Sequence, residues 1–351
     1  MIQAGLIGCG YIANKHIATI AKFAELKLAA VSDIEWEKMN EAAATYKRLI
    51  KKDAAIDFYR NYEEMLVDSN IDIVIIATNS SLHAEIAKKA IENGKHAIVE
   101  KPLALSLEEA DEIISLSKER DVKVLVCHQL RYRPLLEEVK SIVEAGWLGK
   151  LYFGAISLRL HRSSEYYDSS RWKGTWQMDG GMLLNQGIHL VDLLIWIMGD
   201  IKSVYGEIAT KIDNKETEDI ATGIVSFKNG AKGIIEANTI TKPENLGYYL
   251  SIFGEKGTIC IEGKGLNEIE QCYVHNRPDA REHLEKRKEK TDEHFRMYKD
   301  FIRGLINHKP HLMNAQEGKK AVEAIFALYK SDRKRMPVHL PVKKFRTTDM
   351  L

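Results

Sequence analysis

The sequence contains few of the residues that build cross-linked or metal-stapled proteins. Four of its 351 residues are cysteine, at Cys9, Cys127, Cys260 and Cys272. No two of them form a C-x-x-C pair, and their spacing matches neither a zinc knuckle nor a disulfide framework. We therefore expect no metal site, and we expect a reducing, cytoplasmic location.

Long apolar runs and an excess of one charge are also absent. The longest apolar stretches are IDIVIIAT and LLIWIMG, far short of the ~20 residues that cross a bilayer. The N-terminal segment has no basic region followed by an apolar core, so we expect no signal peptide. With 51 basic and 50 acidic residues, the formal net charge is +1. We expect neither a membrane nor a nucleic acid as a partner.

The pattern of apolar residues changes near residue 127. Before it, short β-branched runs alternate with amphipathic segments, which indicates βαβ units and a parallel sheet. From residue 204 to 260 strand follows strand, with hairpin signals at Asn229-Gly230 and at GEKG. The sequence therefore predicts an α/β protein of two domains, over residues 1–126 and 127–351. The second domain is predicted to be α+β with a mostly antiparallel sheet.

A glycine-rich turn follows the first predicted strand. Residues 8–13 read G-x-G-x-x-A, in which Gly8 permits a tight turn and Gly10 lets a pyrophosphate approach the backbone. Asp33 ends the second strand 20 residues beyond Ala13, where an acid binds both ribose hydroxyls and repels a 2′-phosphate. We interpret residues 1–126 as a Rossmann domain that binds NAD. Its cofactor-binding residues here are Gly8, Gly10, Tyr11, Ile12 and Asp33.

Two further segments place polar side chains where ligands collect. Lys101 lies at the end of a predicted parallel strand, the edge at which open α/β sheets bind ligands. Asn185, His189 and Asp192 share one face of a predicted helix at about 100° per residue. Three polar residues on one face of an apolar helix favour a ligand-binding site over a purely structural position in the core. Asp192 either orients the imidazole of His189 or has a structural pairing.

The segments IGCGYIANKH, AVSD, ATNSSLHAEIAKKAIENGKHAIVEKPLA and residues 181–192 together resemble the glucose–fructose oxidoreductase / inositol dehydrogenase family (Gfo/Idh/MocA). The resemblance implies a Rossmann domain, followed by a domain with an open antiparallel sheet that packs into homodimers or homotetramers. It also implies oxidation of a sugar or polyol hydroxyl with NAD(P), with Lys101 and His189 as the catalytic pair. The family pattern T-P-N-x-x-H aligns with Thr78, Asn79 and His83, and Asn79 replaces the proline. We interpret His83 mainly as a packing residue at a helix start. The further cofactor-binding candidates are Thr78, Asn79, His83, Glu100, Lys101 and, from its position alone, Gln129.

The chemistry of the pair is that of hydride transfer from a carbinol, which requires loss of the hydroxyl proton. His189 has a pKa range suited to a base near neutral pH. Lys101 can hydrogen-bond the same oxygen and stabilise developing alkoxide charge. The sequence leaves open which of the two takes the proton first.

Asn185 stands where many family members have the aspartate of D-x-G-x-H, so a carboxylate beside the pair is missing. The segments DGGMLLNQGIHLVDLLIW and RSSEYYDSSRWKGTW are similar to the branch that oxidises UDP-N-acetylglucosaminuronic acid (UDP-GlcNAcA) at C3, for surface polysaccharide. We expect Arg162 to bind the sugar carboxylate bidentately. The substrate-binding candidates are Arg159, Arg162, Tyr166, Tyr167, Asn185 and Gln186.

Other interpretations stay open at this stage. The segment 162–176 could instead be an exposed loop at a subunit contact. The substrate could be a free sugar, inositol or another polyol, or the protein could be a non-catalytic NAD-binding regulator. The sequence also does not decide whether NADH is released or is recycled with 2-oxoglutarate.

Overall fold

The computed structural model describes residues 1–288 and 291–351, which form two compact units. The first unit comprises residues 1–104, 108–129 and 292–319. The second comprises residues 105–107, 130–291 and 320–351. Within the described ranges, no helix is both long enough and apolar enough to cross a membrane.

The first unit is built on a parallel sheet, as the alternation of strands and helices predicts. Its strands are β1 (Ile2–Ile7), β2 (Leu26–Ser32), β3 (Asp57–Tyr59), β4 (Ile73–Ile76), β5 (His96–Val99) and β6 (Val124–Val126). Its helices are α1 (Ala13–Ile20), α2 (Trp36–Ile50), α3 (Tyr62–Val67), α4 (His83–Glu92) and α5 (Leu107–Glu119), which begins in the second unit. The strand order is β3-β2-β1-β4-β5-β6, and every pair is parallel. This is the doubly wound order in which a ligand binds at the carboxyl ends of the strands.

The second unit contains a larger, mostly antiparallel sheet. The other α-helices of the described residues are α6 (Pro134–Glu144), α7 (Ser164–Asp168), α8 (Ile188–Met198), α9 (Ala280–Glu285), α10 (Glu293–Ile306) and α11 (Ala315–Lys334). Of these, α10 belongs to the first unit, and α11 begins there. The strands are β7 (Leu151–Arg159), β8 (Ile201–Ala209), β9 (Ile220–Phe227), β10 (Lys232–Asn238), β11 (Gly247–Gly254), β12 (Gly257–Gly263), β13 (Glu268–Val274) and β14 (Val338–His339). Their order is β13-β12-β11-β7-β10-β9-β8-β14, and β7 and β10 pair in parallel. The α+β prediction is confirmed.

Helices cover one face of this second sheet. Gly154 of β7 lies so close to α8 that a Cβ there would be 2.8 Å from the Cγ atom of Met198. Gly206 and Gly223 give the same close approach to Leu328 of α11. Residues of β9 alternate between buried and exposed, so the opposite face of the sheet is open to solvent.

The division into units differs from the single boundary predicted at residue 127. Residues 292–319 return to the first unit because α10 packs on α1. The Tyr298 hydroxyl of α10 lies 2.7 Å from Nδ1 of His16, and the rings of Phe23 and Phe295 stack at 4.6 Å. The sequence pattern of residues 292–319 gives no sign that they belong to the first unit.

Candidate active site

The glycine turn after β1 has the geometry that a dinucleotide requires. Gly8 has φ +88°, and a Cβ there would be 2.7 Å from the carbonyl oxygen of Ala77, so only glycine fits. Around Gly10, in contrast, no heavy atom of the described residues other than Gly10 and its two chain neighbours lies within 4 Å of the corresponding Cβ position. Tyr11 is 96% exposed. Ile12 occupies the N-cap of α1 and has no side chain that can cap, which leaves backbone N–H groups for phosphate.

Asp33 lies at the end of β2 with its carboxylate fixed. Its Oδ2 accepts a hydrogen bond from the backbone N–H of Cys9 at 2.7 Å, and Oδ1 accepts one from Glu35 at 2.9 Å. Each oxygen keeps a second lone pair with which it can accept a ribose hydroxyl. The residues of this turn therefore fit an adenosine ribose and a pyrophosphate.

The loops after β4 and β5 are joined by His83. Its ring is buried, with Nδ1 2.8 Å from the carbonyl oxygen of Pro102 and Nε2 3.2 Å from that of Thr78. Burial lowers the pKa of the ring, which favours the neutral form. This placement agrees with the packing interpretation of His83. The cofactor contacts expected for Thr78, Asn79, His83 and Gln129 stay predictions.

Glu100 and Lys101 leave the sheet directly after β5. Glu100 is buried, its Oε1 lies 3.0 Å from Nε2 of His16, and its Oε2 accepts a hydrogen bond from the backbone N–H of Lys101 at 3.2 Å. Burial alone would raise the pKa of this carboxyl. The bond from His16 and the nearby positive charges outweigh burial and lower the pKa of Glu100 to about 2. The sequence analysis missed His16, which the motif IGCGYIANKH contains but does not explain.

In the second unit, the helix that carries the polar stripe is not regular. Residues Leu183–Gly187 form a π-helical turn, and α8 begins only at Ile188. The prediction of one uniform stripe is therefore corrected: Asn185 lies in the wide turn, whereas His189 lies in the first turn of α8. Both side chains are partly exposed. Single π turns of this kind are frequent at functional sites.

Asp192 has the structural pairing that the sequence left as one of two possibilities. Its two carboxylate oxygens accept hydrogen bonds from Nε and Nη2 of Arg131, at 2.8 and 2.7 Å. Both side chains are fully buried, and the guanidinium also lies over the ring of Trp196. Asp192, the last residue of the polar stripe, is therefore buried and paired with Arg131.

A carboxylate that the sequence analysis missed lies beside Asn185. Nδ2 of Asn185 donates to Oδ1 of Asp179 at 2.6 Å, and the backbone N–H of Gly174 donates to Oδ2 at 2.8 Å. Asp179 is 3% exposed. The replacement of aspartate by Asn185 therefore does not leave this region without a carboxylate. The negative charge is instead on Asp179, which is hydrogen-bonded to Asn185.

Three predicted substrate-binding residues lie together next to this turn. The Arg162 guanidinium lies 5.2 Å from the centre of the Tyr166 ring, and Nη1 donates to the carbonyl oxygen of His161 at 2.7 Å. The Tyr166 hydroxyl accepts a hydrogen bond from Nε2 of Gln186 at 3.2 Å. These contacts join α7 and the segment before it to the π turn. We refer to Arg162, Tyr166 and Gln186 as the arginine–tyrosine cluster.

Two other predicted substrate-binding residues are not part of that cluster. Arg159 donates from Nε and Nη2 to the carboxylate of Glu236, both at 2.8 Å, on the sheet. Tyr167 is buried, and its hydroxyl accepts a hydrogen bond from Nζ of Lys215 at 3.3 Å. Both residues have contacts within the protein, which for Tyr167 include the ring of Tyr166 at 5.1 Å. The role in substrate binding expected for Arg159 and Tyr167 stays a prediction.

Comparison with known proteins agrees with this geometry. A family model described as the oxidoreductase family with an NAD-binding Rossmann fold matches residues 2–128, and a GFO/IDH/MocA C-terminal domain model matches residues 136–260. The WlbA dehydrogenase of Bordetella pertussis, solved with NADH and UDP-GlcNAcA, is 30% identical. The alignment covers 97% of this chain and 98% of that one, with a TM-score of 0.87. The chain belongs to the Gfo/Idh/MocA oxidoreductase family.

Further relatives include a second WlbA dehydrogenase and a polyol dehydrogenase. The WlbA dehydrogenase of Chromobacterium violaceum, also solved with NADH and UDP-GlcNAcA, is 30% identical with a TM-score of 0.89, covering 97% of this chain and 96% of that one. Myo-inositol 2-dehydrogenase of Thermotoga maritima is 25% identical over 97% of this chain and 98% of its own length. This Gfo/Idh/MocA chain is therefore an NAD-dependent dehydrogenase of the sugar and polyol class, and the predicted cofactor NAD is confirmed.

Proposed function

We propose that the protein oxidises the 3-hydroxyl of a nucleotide-linked N-acetylhexosaminuronate, UDP-GlcNAcA, to the 3-keto sugar for surface polysaccharide synthesis. The observation that carries the proposal is the arginine–tyrosine cluster next to Asn185 and His189. The Arg162 guanidinium, held beside this turn, can bind the carboxylate of a uronate. A neutral polyol has no charged group for it to bind. The ligand of the two WlbA structures supports the same choice.

Arg162 and Asn185 of the second unit then each bind a defined group of the sugar. Arg162 binds the sugar carboxylate, and the ring of Tyr166 limits where its guanidinium can lie. Because Nδ2 of Asn185 donates to Asp179, its amide oxygen is the atom that accepts from a hydroxyl or acetamido N–H of the sugar. An amide there avoids the repulsion that a carboxylate would exert on the uronate.

The catalytic pair removes the proton of the reacting hydroxyl. One of Lys101 and His189 takes this proton, and the other hydrogen-bonds the same oxygen while negative charge develops on it. The nicotinamide ring supplies the hydride acceptor when NAD is bound. The backbone of Lys101 is fixed by its hydrogen bond to Glu100, and His189 is carried by α8.

The first experiment is to mix purified protein with UDP-GlcNAcA and NAD, with and without 2-oxoglutarate. We expect NADH absorbance to rise, or a 3-keto sugar to appear by mass spectrometry only when 2-oxoglutarate regenerates NAD. These two results separate release of NADH from recycling. The absence of product under both conditions, in protein that binds NAD, would contradict the substrate assignment.

A second candidate function is the oxidation of a free sugar, inositol or another polyol. It is favoured by the match to myo-inositol 2-dehydrogenase, which extends over nearly the whole of both chains. The Asp179 carboxylate, one hydrogen bond from Asn185, could serve such a substrate. A panel of free sugars and polyols, assayed by NADH absorbance, tests this candidate.

We also propose that the protein assembles into homodimers or homotetramers through the open face of the second sheet. Ile224 of β9 and Ile234 of β10 are cross-strand partners, 59% and 44% exposed. Tyr273 on the edge strand β13, 58% exposed, lies on the same sheet. Several large exposed apolar side chains on one sheet support a protein contact there.

A further inference from the structure

The π turn that carries Asn185 begins against a buried carboxylate from another part of the chain. Glu218, two residues before β9, is fully buried. Its Oε1 accepts hydrogen bonds from the backbone N–H of Leu183 at 2.8 Å and from the Tyr329 hydroxyl of α11 at 2.7 Å. Leu183 is the first residue of the π turn, 35 positions earlier in the sequence. The binding and proton-transfer steps described above do not use Glu218.

This carboxylate supplies an acceptor that the turn itself lacks. The first N–H groups of a helix have no partner within the helix. Met182, the residue before the turn, makes no side-chain cap, and Leu183 is buried away from water. Because a buried backbone N–H needs an acceptor, Glu218 acts as the N-terminal cap of the turn from a distant part of the sequence.

The chain just before the turn packs closely on the same carboxylate. Gly181 has φ +104°, and a Cβ there would clash with the Glu218 carboxylate and lie 2.5 Å from the Tyr329 hydroxyl oxygen. The carbonyl oxygen of Gly181 accepts a hydrogen bond from the backbone N–H of Asn185 at 2.9 Å. Glu218 therefore contacts the start of the turn at two points, and the backbone of Asn185 is bonded to one of them.

Stability alone does not account for an acid at this position. The second carboxylate oxygen of Glu218, Oε2, is buried and has no hydrogen-bond partner among the residues that the structure describes. Burial is unfavourable for the charged form and raises the pKa of Glu218 to about 7. Lys215, whose charge lowers that pKa, forms its ion pair with Asp219, at 2.6 Å. The unfavourable burial of this acid is explained if its other oxygen has a task at the turn.

We infer that Glu218 is a positioning residue for the sugar site: its buried carboxylate oxygen, oriented by Tyr329, caps the π turn and fixes the place of Asn185. The inference rests on the role of Asn185 in the proposed function, but not on the identity of the sugar. A shift of about 1 Å in a binding group can cost about 100-fold in rate. Loss of the cap should therefore lower turnover and leave the nucleotide site of the first unit unchanged.

The test removes the cap and then restores it with a conservative variant. Glu218→Leu has a side chain of similar size without an acceptor, and we expect kcat/KM for the oxidised sugar to fall about 10- to 100-fold. The Kd of NAD should not change. Glu218→Gln keeps an acceptor oxygen for the Leu183 N–H and should return kcat/KM nearly to its natural value.

Ser331→Ala is the matched control in the same unit. Ser331 of α11 is fully buried, and its Oγ accepts a hydrogen bond from the backbone N–H of Gly206 at 3.0 Å. The variant therefore removes the same kind of bond away from the π turn, and it should lower thermal stability but leave kcat/KM unchanged. An equal loss of kcat/KM in Ser331→Ala and Glu218→Leu would overturn the inference, and so would a failure of Glu218→Gln to restore it.

Hydrogen exchange adds a readout that needs no turnover. Amide exchange of residues 182–189 is followed by mass spectrometry in the intact protein. In Glu218→Leu it should accelerate about tenfold, the worth of one net hydrogen bond, and in Ser331→Ala it should not change. Unchanged exchange in Glu218→Leu contradicts the cap whatever the sugar is. Faster exchange with natural kcat/KM also contradicts the inference, because the cap would then support the fold alone.

If Glu218→Leu does not fold, Tyr329→Phe decides. It removes the hydroxyl that orients Glu218 and keeps the ring that packs against Trp176. It should lower kcat/KM and accelerate exchange in the same direction to a smaller extent, and no change in either overturns the inference. Absence of turnover with every sugar in the natural protein would contradict the proposed function, whereas the exchange result still decides for or against the cap.

Discussion

Arg159 and Arg162 lie three residues apart and have different environments. Arg159 pairs bidentately with Glu236 on the sheet, whereas Arg162 lies against an aromatic ring beside the π turn. For Arg162→Gln we expect kcat/KM for UDP-GlcNAcA to fall roughly 10- to 100-fold, because hydrogen bonds to charged groups contribute about 1.5–3 kcal/mol. Steady-state kinetics measure the loss. Arg171→Gln, a nearby exposed arginine, is the control, and an equal loss in both variants would contradict a specific role for Arg162.

Asp179 supports a second prediction for a single residue. An amide has one acceptor oxygen, so in Asp179→Asn the backbone of Gly174 and the side chain of Asn185 compete for it. We expect kcat/KM for the sugar to fall about tenfold, the worth of one net hydrogen bond. The Kd of NAD, measured by titration calorimetry, should not change. Asp168→Asn on the exposed side of α7 should change neither quantity.

The limits of the sequence are clearest for individual residues. Asn185 and His189 could be proposed as site residues because their spacing and residue types form a local pattern. The pairing of Asp192 with Arg131 spans 61 residues, and that of Arg159 with Glu236 spans 77. A charge pattern along the chain contains no information about such distant partners. The sequence therefore identifies the charged residues but does not show which of them form ion pairs.

Among the structural elements, the turn between β1 and α1 gives a matched pair of variants. Gly8 and Gly94 both have positive φ, at +88° and +71°, but only Gly8 has a backbone carbonyl within 2.7 Å of its Cβ position. Gly94→Ala should cost about 1 kcal/mol of stability for the backbone conformation alone. Gly8→Ala should cost more, since it adds the clash, and should weaken NAD binding at least about tenfold. Chemical unfolding and NAD titration measure both, and equal effects would contradict the assignment.

The start of the helix that carries Asn185 depends on a buried acid. Glu218 accepts hydrogen bonds from the backbone N–H of Leu183 at 2.8 Å and from the Tyr329 hydroxyl at 2.7 Å. Burial raises its pKa from 4.5 to about 7. Because this acid prefers to be protonated in the folded state, its contribution to stability is full below about pH 4.5. That contribution falls as the pH rises to about 7 and is constant above that pH.

Glu218→Gln mimics the protonated acid at every pH. Its stability relative to the natural protein should therefore rise between pH 5 and pH 8, by at most about 3 kcal/mol. Urea unfolding at the two pH values measures the difference. Glu41→Gln, on the exposed side of α2, should show no such trend. A gap for Glu218→Gln that does not depend on pH would mean that the folded protein does not perturb this carboxyl.

For the whole molecule, the open face of the second sheet determines the expected assembly. Ile224→Lys places a charge on that face, next to Ile234 on the adjoining strand. We expect light scattering to show a homodimer or homotetramer for the natural protein and a smaller species for this variant. Ile34→Lys, at an even more exposed isoleucine in the first unit, should keep the natural mass. A monomer in the natural protein would contradict the assembly proposal.

The type of each sheet was easier to predict than which unit each segment of the chain belongs to. Alternating strands and helices indicated the parallel sheet, and closely spaced hairpin signals indicated the antiparallel one. These features depend on neighbours in sequence. The attachment of α10 to α1 depends on residues such as His16 and Tyr298, which are 282 positions apart. Tertiary packing decides such a contact, and a single sequence does not show it.

The return of residues 292–319 to the first unit has a consequence during protein synthesis. A ribosome releases the chain from its N-terminus, so the glycine turn and Asp33 emerge long before α10 does. Until then α1 has an uncovered side, and His16 has no tyrosine partner. The nucleotide-binding unit is therefore complete only when about nine-tenths of the chain has been made, after most of the second unit has emerged. Nascent chains arrested before residue 292 should fail to bind NAD, although every residue of the dinucleotide fingerprint has already left the ribosome.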